Sequence, residues 1–237
     1  MKAPLHLYTA PIHNIIQKHE WLDHGEIKRI NEMNDANTRN TFIAARTLLR
    51  KALSEQTDFC EQEFIFYSER DQKPFILSPK TAFQFSIAHS KKNIAILIAD
   101  NIRIGVDVEE ARQRLDIVGL AKRFFSAHEY NEILSFDCGV NDNICEAQMN
   151  LFLQYWTLRE ALYKATGAGL TADLSKIQFI NLKQNNVDVN DTSIQCTGNI
   201  PDGAWKFMSF FIQNRCYAIA ADVDNDVTVK IHSLYDH

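Results

Sequence analysis

The chain has 237 residues, of which 46% are hydrophobic and 23% charged, and its formal net charge is −5. The apolar fraction excludes a disordered chain, and eight glycines with five prolines exclude a collagen-like or low-complexity one. The acidic balance argues against a nucleic-acid binder, which needs a basic footprint, and the length suits one large domain or two small ones. In chain order, the first ten residues lack the apolar core of a signal peptide. Residues 25–34 read as a short helix, and 37–53 as a longer one with Phe42, Leu49 and Leu53 on one side. Short β-rich runs follow at 63–67, 75–77, 83–87, 94–99 and 102–108, the last two joined by Asp100-Asn101, which predicts a hairpin turn. The run 94–99 is the longest fully apolar one, far short of a membrane span. A helical region covers 115–135, and Ser126-Ala-His-Glu129 is a capping-box pattern that restarts a helix within it. The longest helix is expected over 145–166, stopped by Gly167, and strands near 177–181, 187–197, 205–212, 216–222 and 227–231.

Helices then strands, twice over, predict an α+β fold with a break near residue 100. Residues 1–100 carry a net charge of +1 and residues 101–237 a net charge of −6, so the first half suits an anionic ligand and the second a cation. The five cysteines, Cys60, Cys138, Cys145, Cys196 and Cys216, form no CxxC pair and read as free thiols in a reducing cytoplasm.

Four segments carry candidate chemistry. In Gly105-Val-Asp-Val-Glu109, strand alternation puts Gly105, Asp107 and Glu109 on one face, with the two carboxylates about 6–7 Å apart along the strand. Two such carboxylates suit Mg²⁺ with waters and phosphate, or simply form a polar outer strand face. In Trp156-Thr-Leu-Arg-Glu-Ala-Leu-Tyr-Lys164, Trp156, Glu160 and Lys164 form one helical stripe. Glu four residues before Lys is an ordinary exposed pair, but a solvated face seldom spends a Trp. Arg39, Arg46 and Arg50 share a narrow sector of the first long helix, either snorkelling or presenting guanidinium groups to phosphate. His89-Ser90, followed by Lys91 and Lys92, suits phosphate or nucleotide contact, or is an incidental polar turn. GxGxxG, P-loop, GxSxG and HExxH patterns are absent from the sequence.

Taken in order, these segments resemble the 4′-phosphopantetheinyl transferase superfamily, and within it the two-domain, surfactin-synthetase-activating type. Gly105-Val-Asp-Val-Glu109 resembles its G(I/V)D(I/V)E pattern, Ala121-Lys-Arg-Phe-Phe-Ser126 with Glu129 its (K/R)FF(S/T)xxE element, and Trp156 through Lys164 its WxxKExxxK element. Lys73-Pro74 and the stretch from Phe83 to Ser90 resemble its KP and FNxSHS elements. Arg159 stands where the family usually has Lys, Ala88 where it has Ser, and Gln84 where it has Asn. The likeness runs from about Arg39 to Leu170.

The resemblance implies two similar α+β halves, 1–100 on the coenzyme A nucleotide side and 101–237 with the metal and catalytic motifs, related by a pseudo-twofold with the site between them. It implies Mg²⁺-dependent transfer of 4′-phosphopantetheine from coenzyme A to a serine of an apo acyl, polyketide or peptidyl carrier protein, releasing adenosine 3′,5′-bisphosphate. Asp107, Glu109 and Glu160 would hold Mg²⁺, and Glu160 and Lys164 would be catalytic. Arg39, Arg46, Lys73, Pro74, His89 and Ser90 would bind coenzyme A. Lys122, Arg123, Phe124 and Phe125 would form a carrier-docking patch. A cytoplasmic monomer is expected, with no nucleic-acid or membrane partner. Two other readings stand beside it: a non-catalytic coenzyme A-binding or carrier-docking protein of the same fold, and a Mg²⁺-dependent phosphohydrolase.

Overall fold

A computed structural model describes residues 3–67, 72–111, 115–136, 144–167, 174–183 and 186–233. Cys138 and Leu170, the far edge of the family-like stretch, lie outside the described residues. The fold is mixed α+β. Its first sheet runs in the order β11-β1-β5-β4, from Val227–Ser233 (β11), Ala3–Pro11 (β1), Asn93–Asp100 (β5) and Phe83–His89 (β4). The second runs β6-β10-β9, from Arg103–Glu110 (β6), Arg215–Asp222 (β10) and Trp205–Ile212 (β9). Two short pairs complete it: Ile65–Tyr67 (β2) with Phe75–Ser78 (β3), and Ile177–Ile180 (β7) with Gln195–Gly198 (β8).

Side-chain alternation turns these strands into four layers. Ala95, Leu97 and Ala99 of β5 share one apolar cluster with Leu5 and Leu7 of β1 and with inward residues of the second sheet, including Val106 and Ile219. Ile94, Ile96 and Ile98 point the other way, onto Ala44, Leu48, Leu49 and Leu53 of helix Ala36–Ser54 (α2). The uninterrupted run 94–99 is therefore a strand buried on both faces. On the second sheet, Cys216, Ala218 and Ala220 face Leu158, Ala161 and Leu162 of helix Glu146–Thr166 (α5). The order is helix, sheet, sheet, helix. Helices Ile117–Phe124 (α3) and Ala127–Leu134 (α4) pack on α5, and Ser126 and Glu129 form the expected capping box between them. Helix His24–Glu32 (α1) precedes α2.

Three expectations change. Strand β1 was not expected, because prolines at 4 and 11 and polar His6 and Thr9 interrupt its pattern, yet Leu5 and Leu7 alternate inward. Asp100-Asn101 does make a tight turn, with Asn101 at φ 51°, but β5 and β6 do not pair across it and enter different sheets. Of the strand expected over 187–197, only its end is extended into β8. The Asn186, Asp188 and Asp191 side chains accept hydrogen bonds from the amides of Asp188, Asn190 and Ser193, so local turns outcompete a ladder there. Among the described residues, no helix is long and apolar enough to cross a membrane.

The feature that positions the site is the approach of α5 to β6. A Cβ built on Gly105 would lie 1.9 Å from the Ala161 carbonyl oxygen and 2.6 Å from the Ala165 nitrogen, so helix backbone touches strand backbone. Gly167, at φ 72°, ends α5 in the left-handed conformation that the sequence predicts. Gly105→Ala forces α5 off the sheet and is expected to cost about 1–3 kcal/mol of stability, measured by urea denaturation.

Candidate active site

Strand parity and helical spacing meet at one place. Ile104, Val106 and Val108 of β6 enter the inter-sheet core, so Asp107 and Glu109 face α5. The Lys164 ammonium donates to Asp107 Oδ1 at 2.7 Å. Asp107 is 6% exposed, and its other oxygen, Oδ2, is buried with no hydrogen-bond partner among the described residues. One turn before Lys164, burial and then the neighbouring Asp107 raise the Glu160 pKa above its ordinary 4.5, with Glu109 adding to the shift and Lys164 opposing it. His89, at the end of β4, has its pKa lowered by desolvation and then by the Lys164 charge, with Asp107 opposing. Glu160 thus lies within electrostatic reach of Asp107, Glu109 and Lys164, and His89 within reach of Asp107 and Lys164.

Two clefts open on this group. The larger, about 1350 Å³, is lined by Lys28, Arg29, Arg46, Pro74, His89 and Lys91, among others. The smaller, about 300 Å³, is lined by Lys73, Phe85, Glu160, Tyr163 and Lys164. Gln72, Pro74 and Ile87 line both, so a single elongated ligand can occupy the two.

The remaining candidate residues are placed unequally. Arg46 lines the larger cleft, 5% exposed, with Nε 2.9 Å from Glu26 Oε1. Its Nη1 is buried without a hydrogen-bond partner among the described residues, and desolvation pulls its pKa down to about 10, still charged at neutral pH. Arg50 is fully buried and spends its guanidinium on Glu26 and the Phe64 carbonyl, so it presents nothing to a ligand. Arg39 donates to the Met33 carbonyl at 2.7 Å and lines neither cleft. Lys73 donates to the Ile104 carbonyl at 2.7 Å, and burial pulls its pKa down to about 8. Ser90 lines the larger cleft but gives its hydroxyl to Glu110. Of the expected docking patch, Lys122 and Arg123 are exposed and Phe125 is core, while Phe124 is half-buried, edge-on to Trp156. The Trp156 stripe therefore packs at one end and opens into the smaller cleft at the other.

Two anchoring pairs escaped the sequence reading. Glu26 binds both Arg46 and Arg50, and its visible signal was the Asp23-x-x-Glu26 capping box at the start of α1. Arg159, 1% exposed, pairs with the fully buried Glu129 and donates to the Ile177 carbonyl, while Phe179 N–H donates to Glu129. Residues that looked like parts of two separate motifs thus form one structural bond that ties α5 to α4 and β7.

A divalent cation suits this chemistry. Among the described residues, no three acidic, His or Cys side chains already stand together as a ligand set. Among the described residues, the buried Asp107 Oδ2 has no hydrogen-bond partner, and it lies beside Glu160, whose pKa Asp107 and Glu109 both raise. Mg²⁺ needs only one or two carboxylates when phosphate and water complete its shell.

The family model of the 4′-phosphopantetheinyl transferase superfamily (ACPS) matches residues 103–220, from the first residue of β6 nearly to the end of β10 and including all of α5. The chain belongs to that superfamily. It is 32% identical to the 4′-phosphopantetheinyl transferase HetI of Nostoc over 161 residues, 67% of this chain and 64% of that protein. It is 30% identical to the 4′-phosphopantetheinyl transferase psf-1 of Bacillus pumilus over 133 residues, 56% of this chain and 52% of that one. With AcpT of Escherichia coli O157:H7 it shares 32% identity over 129 residues, 54% of this chain and 58% of that one. The matched stretch thus spans about half to two thirds of each relative's length. The Thermotoga maritima holo-[acyl-carrier-protein] synthase covers 51% of this chain and 62% of its own at a TM-score of 0.35 and 16% identity, too loose a likeness to bear on the fold. The family's matched region is the one that holds Asp107, Glu109, Glu160 and Lys164.

Because the Glu160 pKa is raised in the folded protein, folded chains bind more protons than unfolded ones between the ordinary carboxylate value and the raised one, so stability falls as pH rises through that window. Glu160→Gln is therefore expected to raise the Tm of the free protein at pH 7, with the gain vanishing below about pH 4. Thermal melts across that range check it.

Proposed function

We propose that the protein transfers 4′-phosphopantetheine from coenzyme A to a serine of an apo carrier protein, releasing adenosine 3′,5′-bisphosphate. The observation that carries this reading is the partnerless Asp107 oxygen beside Glu160 and Lys164, where a basic cleft for an anionic ligand meets a smaller cleft. The relatives HetI and psf-1, both 4′-phosphopantetheinyl transferases, support the same activity.

Asp107, Glu109 and Glu160 would hold Mg²⁺, which when bound neutralises the pyrophosphate and polarises the bond that breaks. Lys28, Arg29, Arg46 and Lys91 favour an anion in the larger cleft, and the His89 ring lines it as a hydrogen-bonding group. Arg46 and His89 are assigned to the 3′-phosphate end, Pro74 to the passage between the clefts and Lys73 to the wall of the smaller one. Glu160 takes the proton of the attacking serine, directly or through water, and its raised pKa brings it closer to neutrality, as a general base requires. Lys164, on the same helix face, offsets negative charge that grows on the transferring phosphate. The serine oxygen forms the new P–O bond, and the bridging pyrophosphate oxygen leaves with the nucleotide. We assign carrier docking to the exposed Lys122 and Arg123 beside Phe124, as basic groups suit an acidic partner.

The same reading takes residues 1–100 as the nucleotide half and 101–237 as the catalytic half, related by a pseudo-twofold. A helix covering the outer face of each sheet supports it. It places the enzyme in the cytoplasm as a monomer serving fatty-acid, polyketide or nonribosomal peptide synthesis.

The test is mass spectrometry of apo acyl and peptidyl carriers incubated with coenzyme A, Mg²⁺ and the protein. A gain of one phosphopantetheine, abolished by chelation, is expected. Glu160→Gln should lower kcat by about 10²–10⁴-fold and weaken Mg²⁺ activation. Lys164→Ala should lower kcat with less effect on the Mg²⁺ requirement. Unmodified carriers would leave a binding protein, and free phosphopantetheine would point to a hydrolase.

A further inference from the structure

The doublet Glu109-Glu110 at the end of β6 carries two jobs, separated by strand parity. Glu109 shares the Asp107 face toward α5. Glu110 shares the face of Val106 and Val108, and so enters the layer between the two sheets. There the apolar filling stops and polar side chains take over. Ser90, just past β4, donates its hydroxyl to Glu110 Oε1 at 2.9 Å, joining the first sheet to the second. Arg215 stands opposite Glu110 in the β6–β10 ladder, on the same face as Tyr217. With the Asn93 amide oxygen turned toward it, Arg215 donates to Asn93 through Nε and Nη2. Asn93 is fully buried, and its carbonyl accepts the Ser90 N–H at 2.9 Å, closing the Ser90–Asn93 turn.

The geometry points to Glu110 as a positioning residue: with Arg215 it clamps the Ser90–Asn93 turn across the mouth of the inter-sheet layer and so fixes His89 against Asp107 and Lys164. This rests on the nucleotide-side reading of the larger cleft, and it moves Ser90 from phosphate ligand to strut. A hydroxyl whose proton is held by a buried-edge carboxylate is not free to donate to phosphate, and an anion brought to Ser90 would meet the Glu110 charge. The clamp is also the polar contact by which the carboxylate-bearing strand β6 holds the turn after His89, so a loose clamp blurs the distance between the two ends of the ligand site.

The test measures coenzyme A binding by calorimetry, with amide hydrogen exchange over residues 89–93, on the full chain and on Glu110→Gln, Glu110→Ala, Ser90→Ala and the Ser90→Ala/Glu110→Ala double variant. Glu110→Ala is expected to weaken coenzyme A roughly tenfold. Glu110→Gln, whose amide oxygen still accepts from Ser90, should lose less. The double variant should be no worse than Glu110→Ala, because both single changes cut one bond. Exchange of the Ser90 amide should quicken in each variant while the centre of β5 keeps its protection. Additive losses in the double variant would make Ser90 a ligand in its own right and overturn the proposal, as would unchanged affinity and exchange in Glu110→Ala. Failure of the wild-type chain to bind coenzyme A would instead overturn the functional reading, and the exchange rates would still decide the clamp.

Discussion

Helix α5 lies on strand β6 with no side chain between them at Gly105. That backbone contact sets the height of the helix over the sheet, and the chemistry follows from the height. From there Lys164 reaches Asp107 at 2.7 Å, and Glu160 comes under the influence of two strand carboxylates. A methyl group at residue 105 would lift the helix, and the three acids and the lysine would no longer form one group. Small residues along the neighbouring strand, Ala218 and Ala220, extend the same close seat.

Two buried ion pairs hold the flanks of that arrangement. Arg159 and Glu129 fasten α5 to the start of α4 and to β7, with further bonds to the Ile177 carbonyl and from the Phe179 amide. Glu26 fastens Arg46 and Arg50 beneath the larger cleft, leaving one Arg46 nitrogen without a hydrogen-bond partner among the described residues. Buried pairs of this kind add little net stability, but removing one partner strands a charge at a cost of about 3–5 kcal/mol. They act here to fix where neighbouring groups stand: Glu160 beside Arg159, and the cleft wall beside Arg46.

Much of the site was legible because it is written in local periodicities. Strand alternation alone put Asp107 and Glu109 on one face, and helical spacing alone put Glu160 and Lys164 on one stripe. The capping box at Ser126 and the stop at Gly167 are likewise local. What was not legible depends on partners distant in sequence. Nothing near residue 103 shows that β6 leaves β5 for β10, more than one hundred residues later. Nothing near Ala3 shows that β1 will be closed by β11 from the other end of the chain. The arginine sector on α2 looked uniform, yet Glu26 divides it, burying Arg50, leaving Arg46 on the cleft, while Arg39 binds a carbonyl elsewhere. Similarly, Glu109 and Glu110 are neighbours in sequence and face opposite sides of the sheet.

On the proposed function, β6 and α5 together make one cation site that is completed by an anionic ligand. Manganese binding followed by electron paramagnetic resonance, in the wild type and in Asp107→Asn and Glu160→Gln, tests it most directly. The account predicts one site whose affinity rises when coenzyme A is added and falls at least tenfold in either variant. Wild-type affinity in both variants, with no response to coenzyme A, would contradict it.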